Sequence, residues 1–213
     1  MNYIFLVPTK IEYSSIISSI KNNYSHLLKL EKVKIIEAYL GGKISNYIKR
    51  NLDLLKNNEI ILTGTAGALI NTLRFGDIIT PKAFVKENKE IIALSFFKTY
   101  NIDIKKVIMF TCKKLIQDIL EKEEIKDRYS AEAVDMESYY AFNACSKYKL
   151  NLQIIKVILD EYNESIIRKN NSFAINKSRN KNLDMNNDEH ILFLEKIKEV
   201  SGIIANIINS ICI

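Results

Sequence analysis

The sequence predicts an α/β fold in a single domain, a central mixed β-sheet flanked by helices on both sides. Two observations predict it. Several runs are apolar or nearly so, as in YIFLV (Tyr3 to Val7), which is apolar throughout, and the near-continuous LQIIKVIL (Leu152 to Leu159), which suits strands covered on both faces. These runs alternate with segments of helical spacing, and no Gly/Pro/Ser-rich linker divides the 213 residues.

Taken in order, YIFLV is a first strand ended by Pro8, and in IEYSSIISSI the residues Ile11, Ile16, Ile17 and Ile20 suggest a helix. KLEKVKIIEAYL reads as two short strands, and GGKISNYIKRNLDLLKN as a glycine turn entering a helix. EIILTGTAGAL reads as a buried strand over 60–63 that opens into a glycine-containing loop. GDIITPKAFV, KEIIALSFF and KKVIMFT are strand-like, rich in β-branched and aromatic residues between turn formers. CKKLIQDILEKEEIKDRY has helical character, AEAV is a short strand, MESYYAFNACSKY is helical, and LQIIKVIL is a strand that ends at Asp160. From about 161 to 188 the chain is polar and Asn/Lys-rich without a period, so a long loop is expected. Over about 189 to 212, Phe193, Ile197, Val200, Ile204, Ile207 and Ile211 fall on one face of a terminal helix that docks on the core.

Composition narrows the function classes. No apolar run approaches the roughly 20 residues that span a bilayer, and the N-terminus has neither a basic lead-in nor a small-residue cleavage site. A cytoplasmic protein without a membrane partner is expected. Three cysteines, Cys112, Cys145 and Cys212, and two distant histidines support neither a disulfide framework nor a metal site. The formal charge of +6 invites a nucleic-acid reading. However, the lysines are dispersed rather than clustered with arginine and interleaved aromatics, so no nucleic-acid partner is expected.

Acidic residues recur where strands end. Glu12 follows the first strand, Asp135 and Glu137 follow AEAV, and Asp160 closes LQIIKVIL. Strand ends on one side of an α/β sheet share a crevice, so these carboxylates are expected to converge. Gly64 and Gly67 would let a ligand approach the backbone there. An acidic crevice suits a ribose: carboxylates accept hydrogen bonds from sugar hydroxyls and stabilise positive charge on the ring, and a protonated carboxyl can donate to a leaving group. Asp135, by contrast, suits a helix terminus.

The motifs ILTGTAGAL, RFGDIIT, AVDMES and KVILD, in this order, resemble the nucleoside phosphorylase and nucleosidase superfamily. VPTKIEYSSI is similar to its nucleosidase branch, which includes methylthioadenosine/S-adenosylhomocysteine nucleosidase and futalosine hydrolase. The resemblance covers most of residues 1 to 160 and implies a nucleoside phosphorylase-like fold, a homodimer, and hydrolysis of a purine-type nucleoside without a cofactor. It implies that Asp160 protonates the purine ring and that Glu12 holds and polarises the attacking water. It further implies that Glu137 binds the ribose hydroxyls, that Met136 packs against the sugar, and that Thr65 and Gly67 line the pocket.

The nucleosidase branch is favoured over phosphorylases because Leu62 stands where phosphorylases usually carry an arginine, and VPTKIE occupies the place of their glycine-Asp-Pro motif. Departures from the nucleosidase pattern also stand out. Lys156 and Leu159 replace a common Arg and Ser before the aspartate, Lys113 and Lys114 lie in the base-stacking region, and the stretch from Lys82 to Lys105 is short. A phosphate-dependent phosphorylase and an inactive nucleoside-binding relative remain the alternatives.

Overall fold

The structure, a computed structural model, describes residues 2–94, 100–169, 172–176 and 187–213. Parallel strands β1 (Tyr3–Val7), β2 (Val33–Glu37) and β3 (Glu59–Ala68) form one wing of the sheet, with β1 between the other two. β8 (Leu152–Asp160) runs parallel to β3, and β4 (Ile78–Val85) meets the middle of β8 antiparallel. From β4 the sheet continues parallel to β6 (Lys105–Thr111) and then to β7 (Ala133–Asp135), while β5 (Ile91–Ala93) lies on the outer edge of β4. β7 pairs back onto β3 at Gly67 and Ala68. Strands β3, β8, β4, β6 and β7 therefore close into a ring.

The alternation of side chains along the apolar strands explains why they read as unbroken apolar runs. Ile4 and Leu6 point to one side, against α2 (Lys43–Arg50), the short α3 (Leu52–Leu55) and α5 (Ser138–Lys147). Phe5 and Val7 point to the other side, against α1 (Lys10–Asn23) and α6 (Asn187–Cys212). Strands sandwiched in this way have no polar face. On α6, Phe193, Ile197, Val200, Ile204, Ile207 and Ile211 are all buried, each contributing about 1.5–3 kcal/mol of transfer free energy. A third apolar cluster joins α4 (Ile119–Tyr129) to β6 and β7 through Ile125, Phe110 and Val134. No described helix is long and apolar enough to cross a membrane.

Several sequence expectations change. TGTAG is not a loop: β3 continues through it to Ala68, with Gly64 at φ +138°, where side chains are rarely tolerated. KLEKVKIIEAYL contributes one strand, β2, preceded by a 3-10 turn at Ser25–Lys29. The helix expected from Cys112 begins only at Ile119, because Asp118 caps it by accepting a hydrogen bond from Glu121 N at 2.8 Å. The polar segment expected as a loop over 161–188 contains two antiparallel strands, β9 (Ser165–Lys169) and β10 (Ser172–Asn176), and its last residues already belong to α6. Residues 170–171 and 177–186 of that segment lie outside the described residues, as do 95–99, which include the last three residues of KEIIALSFF.

Candidate active site

Closing the ring brings the ends of β1, β3, β7 and β8 together around a cleft of about 710 Å³. Glu12, Thr65, Gly67, Met136, Glu137 and Asp160 all line it, although they are far apart in sequence. Its volume lies within the range of small-molecule sites.

Glu12 reaches the cleft because the chain turns into α1 immediately after Pro8. Thr9 and Glu12 form a capping box: Thr9 Oγ1 accepts from Glu12 N at 3.3 Å, and Glu12 Oε2 accepts from Thr9 N at 3.2 Å and from Thr9 Oγ1 at 2.5 Å. A first-turn glutamate is ordinarily solvated, but Glu12 is buried, and its Oε1 accepts from both the N–H and the hydroxyl of Thr65, each at 2.8 Å. These four bonds fill its acceptor sites, so a water bound by Glu12 must take the place of the Thr65 or Thr9 hydroxyl. A Cβ on Gly64 would lie 3.1 Å from Glu12 Oε1 and 3.5 Å from Lys156 Nζ. Only glycine leaves room there.

The AVDMES stretch divides its labour between its two acids. Asp135 accepts from Ser138 N at 3.0 Å and Ser138 Oγ at 2.5 Å, and from Thr111 Oγ1 at 2.8 Å, so it anchors the start of α5. With Asp135 serving the helix, the Glu137 side chain takes no part in capping. Glu137 turns into the cleft, where Oε1 accepts from Gly41 N at 3.1 Å and Oε2 from Lys156 Nζ at 3.3 Å. Burial pushes its pKa up to about 7 against the pull of the Lys156 ammonium, with Asp135 and Glu12 pushing the same way as burial. Met136 lies between the two acids and is only partly buried.

Lys156 is completely buried, midway along β8. Its ammonium lies 3.3 Å from both Asp135 Oδ2 and Glu137 Oε2. Burial would lower its pKa, but Asp135, Glu137 and Glu12 outweigh that and raise it. Asp160 sits beyond a register shift between β3 and β8, where Ala66 pairs with Ile158 and Gly67 with Asp160. A bulge of this kind re-aims a side chain, and here both oxygens of Asp160 face Gly67. A Cβ on Gly67 would lie 3.0 Å from Asp160 Oδ2 and 3.1 Å from Oδ1.

Sequence reasoning missed Lys122. This residue of α4 is fully buried, lines the cleft and forms an ion pair with Asp160 Oδ2. Its remaining ammonium protons go to the carbonyl oxygens of Glu161 at 2.6 Å and Glu164 at 2.8 Å. Burial raises the pKa of Asp160, and Lys122 opposes the rise. The signal was present: Ile119, Lys122 and Ile125 are the buried residues of α4 and are three apart, so the lysine interrupts an apolar stripe. Lys113 and Lys114 also line the cleft, but they are exposed and pair with Glu87 and Glu121. Leu62 does not line the cleft; it is buried in the core beneath α2 and α5.

Comparison with known proteins agrees with this architecture. No family model matches the chain. Over 199 residues it is 24% identical to the aminodeoxyfutalosine nucleosidase of Campylobacter jejuni, an alignment covering 80% of this chain and 84% of the relative. Over 150 residues it is 30% identical to the 5′-methylthioadenosine/S-adenosylhomocysteine nucleosidase of Buchnera aphidicola, covering 56% of this chain and 64% of the relative. The crystal structure of the C. jejuni 5′-methylthioadenosine/S-adenosylhomocysteine nucleosidase superposes with a TM-score of 0.67 at 17% identity, covering 100% of this chain and 98% of the other.

The chain has the nucleosidase fold. Within that fold, the cleft described here sits where the ring of strands closes, and two buried lysines hold its carboxylates in place.

Proposed function

We propose that the protein is an N-ribosyl hydrolase that releases the base from a purine-type ribonucleoside, of the methylthioadenosine, S-adenosylhomocysteine or futalosine kind. The observation that carries this reading is the convergence of Glu12, Glu137 and Asp160 on one cleft of nucleoside size. Glu137 binds the ribose hydroxyls, using lone pairs beyond those taken by Gly41 and Lys156. Met136 packs against the sugar, and Thr65 and Gly67 form the floor beside it. Asp160 donates its proton to a ring nitrogen of the base, the C–N bond breaks, and the ribose carries the positive charge. Water then attacks the anomeric carbon while Glu12 takes its proton. Proton exchange with solvent restores both acids. Burial raises the pKa of Asp160, a direction that suits the acid role, as general acids work best near the operating pH.

Water is favoured over phosphate by electrostatics. Beside Glu12 the buried charges are Asp135, Glu137 and Lys156, so even with Glu137 protonated two carboxylates face one ammonium. An anionic nucleophile would be repelled from that end of the cleft. The decisive experiment measures base release from methylthioadenosine, S-adenosylhomocysteine, aminodeoxyfutalosine, inosine and adenosine, each with and without phosphate. Release of free base and free sugar in phosphate-free buffer is expected. Release only with phosphate would assign a phosphorylase, and tight nucleoside binding without release would assign an inactive relative.

The same reading places the protein in nucleoside salvage in the cytoplasm, as a homodimer with no nucleic-acid or membrane partner. Three free, buried cysteines suit a reducing compartment. Ile11 in the first turn of α1 and Leu40 on the loop after β2 are exposed at the cleft, with exposed Tyr39 beside Leu40, and apolar side chains so placed support a second subunit there.

A further inference from the structure

A lysine with no exposed surface calls for an explanation, because a buried ammonium costs several kcal/mol unless its charge and protons are fully satisfied. Lys122 meets that condition in an unusual way. One proton goes to the Asp160 carboxylate, and two go to carbonyls of the turn that follows β8. A lysine serving only to cap that turn would need the carbonyls alone. A lysine serving only as counter-ion would need Asp160 alone. Lys122 joins both, so α4, the end of β8 and the turn at 161–164 are held at a single point.

We propose that Lys122 is the positioning residue of Asp160: it holds Oδ2 from the side of α4, leaves Oδ1 for the nucleoside base, and its charge sets how readily Asp160 takes up a proton. The inference rests on the nucleosidase reading and adds to it a residue that the sequence motifs do not contain. Among the described residues Oδ1 makes no hydrogen bond, while Oδ2 is taken by Lys122. Glycine at position 67 leaves the carboxylate its room, since a Cβ there would lie 3.1 Å from Oδ1 and 3.0 Å from Oδ2.

Asp160 is faced by Lys122 from α4, by Glu164 from the turn and by Lys196 from α6; Glu12, Asp135 and Glu137 also line the cleft, and Lys156 of β8 is paired with the last two. Lys196 is paired with Glu164 at 2.6 Å, so these two largely cancel at Asp160. Lys122 is therefore the cation that governs it. Its positive charge favours the ionised carboxylate, which keeps the acid form scarce as pH rises.

The test compares the pH profile of kcat/KM for the wild-type protein with those of Lys122→Met and Lys122→Arg. In Lys122→Met the fall in rate at alkaline pH moves to higher pH, because Asp160 keeps its proton longer, while the best rate drops on the order of tenfold to a hundredfold through lost orientation. Lys122→Arg, which keeps the charge, leaves that alkaline fall in its wild-type place. A lysine with only a structural role would lower the rate in Lys122→Met without moving the profile, and that result would overturn the proposal.

The titration of Asp160 itself can be followed by carboxyl carbon NMR, assigned by its loss in Asp160→Asn. This measurement needs no substrate. An Asp160 midpoint unchanged by Lys122→Met refutes the proposal even if the nucleosidase reading stands, whereas a raised midpoint supports it even if every nucleoside tested is refused. Should the methionine variant fail to fold, Lys122→Gln retains a donor without the charge and carries the same comparison.

Discussion

Asp160 and Glu137 are both buried carboxylates in one cleft, yet each is held by a different lysine, and that difference separates their chemistry. Asp160 is the only one of the two placed beyond a strand bulge, with an oxygen left over for a ligand. Replacing it with Asn keeps the shape and removes the transferable proton. We expect kcat for base release to fall about 10²- to 10⁴-fold in Asp160→Asn, measured on the best substrate from the panel. Near-full turnover would remove Asp160 from the mechanism.

Glu137 lends itself to a stability measurement. Its pKa is raised from 4.5 to about 7 in the folded protein, chiefly by burial. Between those two values the folded chain holds a proton that the unfolded chain has released, so this group's stabilising contribution is complete below the lower value and is lost as pH rises through about 7. Thermal unfolding followed from about pH 5 to about pH 8 should therefore show a steeper decline in Tm for the wild-type protein than for Glu137→Gln. Parallel declines would mean that Glu137 ionises as freely in the folded state as in the unfolded one.

At the scale of elements, β3 and β8 carry the site between them. The end of β3 presents Gly64 to Glu12 and Gly67 to Asp160, each at a distance that admits no side chain without displacement. Gly67→Ala is expected to push the Asp160 carboxylate out of position and lower kcat/KM by about tenfold or more, while circular dichroism remains that of the wild-type fold. An alanine enzyme as active as wild type would show that Asp160 does not need the space above residue 67.

β8 contributes a different kind of constraint. Lys156 interrupts the apolar middle of the strand and pairs with Asp135 and Glu137, with Glu12 near. Removing one member of a buried ion cluster leaves its partners unpaired, which costs about 3–5 kcal/mol. Lys156→Met should lose stability in that range by denaturant unfolding. A loss within about 0.5 kcal/mol, as for a surface change, would mean that the carboxylates are neutral without it.

At the scale of the whole molecule, the cleft opens near α1 and the loop that carries Tyr39 and Leu40. If a second subunit covers those apolar side chains, light scattering will report about twice the 24.6 kDa of one chain. Leu40→Glu would then shift the protein toward monomer and lower kcat/KM together. A monomeric wild-type protein of full activity would rule out a partner's contribution to the site.

The sequence by itself determined the apolar strands, the helices between them, the TGTAG and AVDMES motifs and the acids at the strand ends. Those features are local: a buried strand or an amphipathic helix shows its period within a few residues, and a motif shows its chemistry by residue type. Tertiary structure decided what local pattern cannot express. β7 folds back onto β3 and closes the ring, Lys122 reaches Asp160 from 38 positions earlier in the chain, and Lys156 finds its acids on β7 and the residues after it. The pairing of a buried charge is set by which strands and helices meet, since the cost of leaving it unpaired is settled only when the core excludes water. Glu12 illustrates both halves: its capping box with Thr9 is legible as T-x-x-E, but its burial against Thr65 exists only once β3 has packed beside β1.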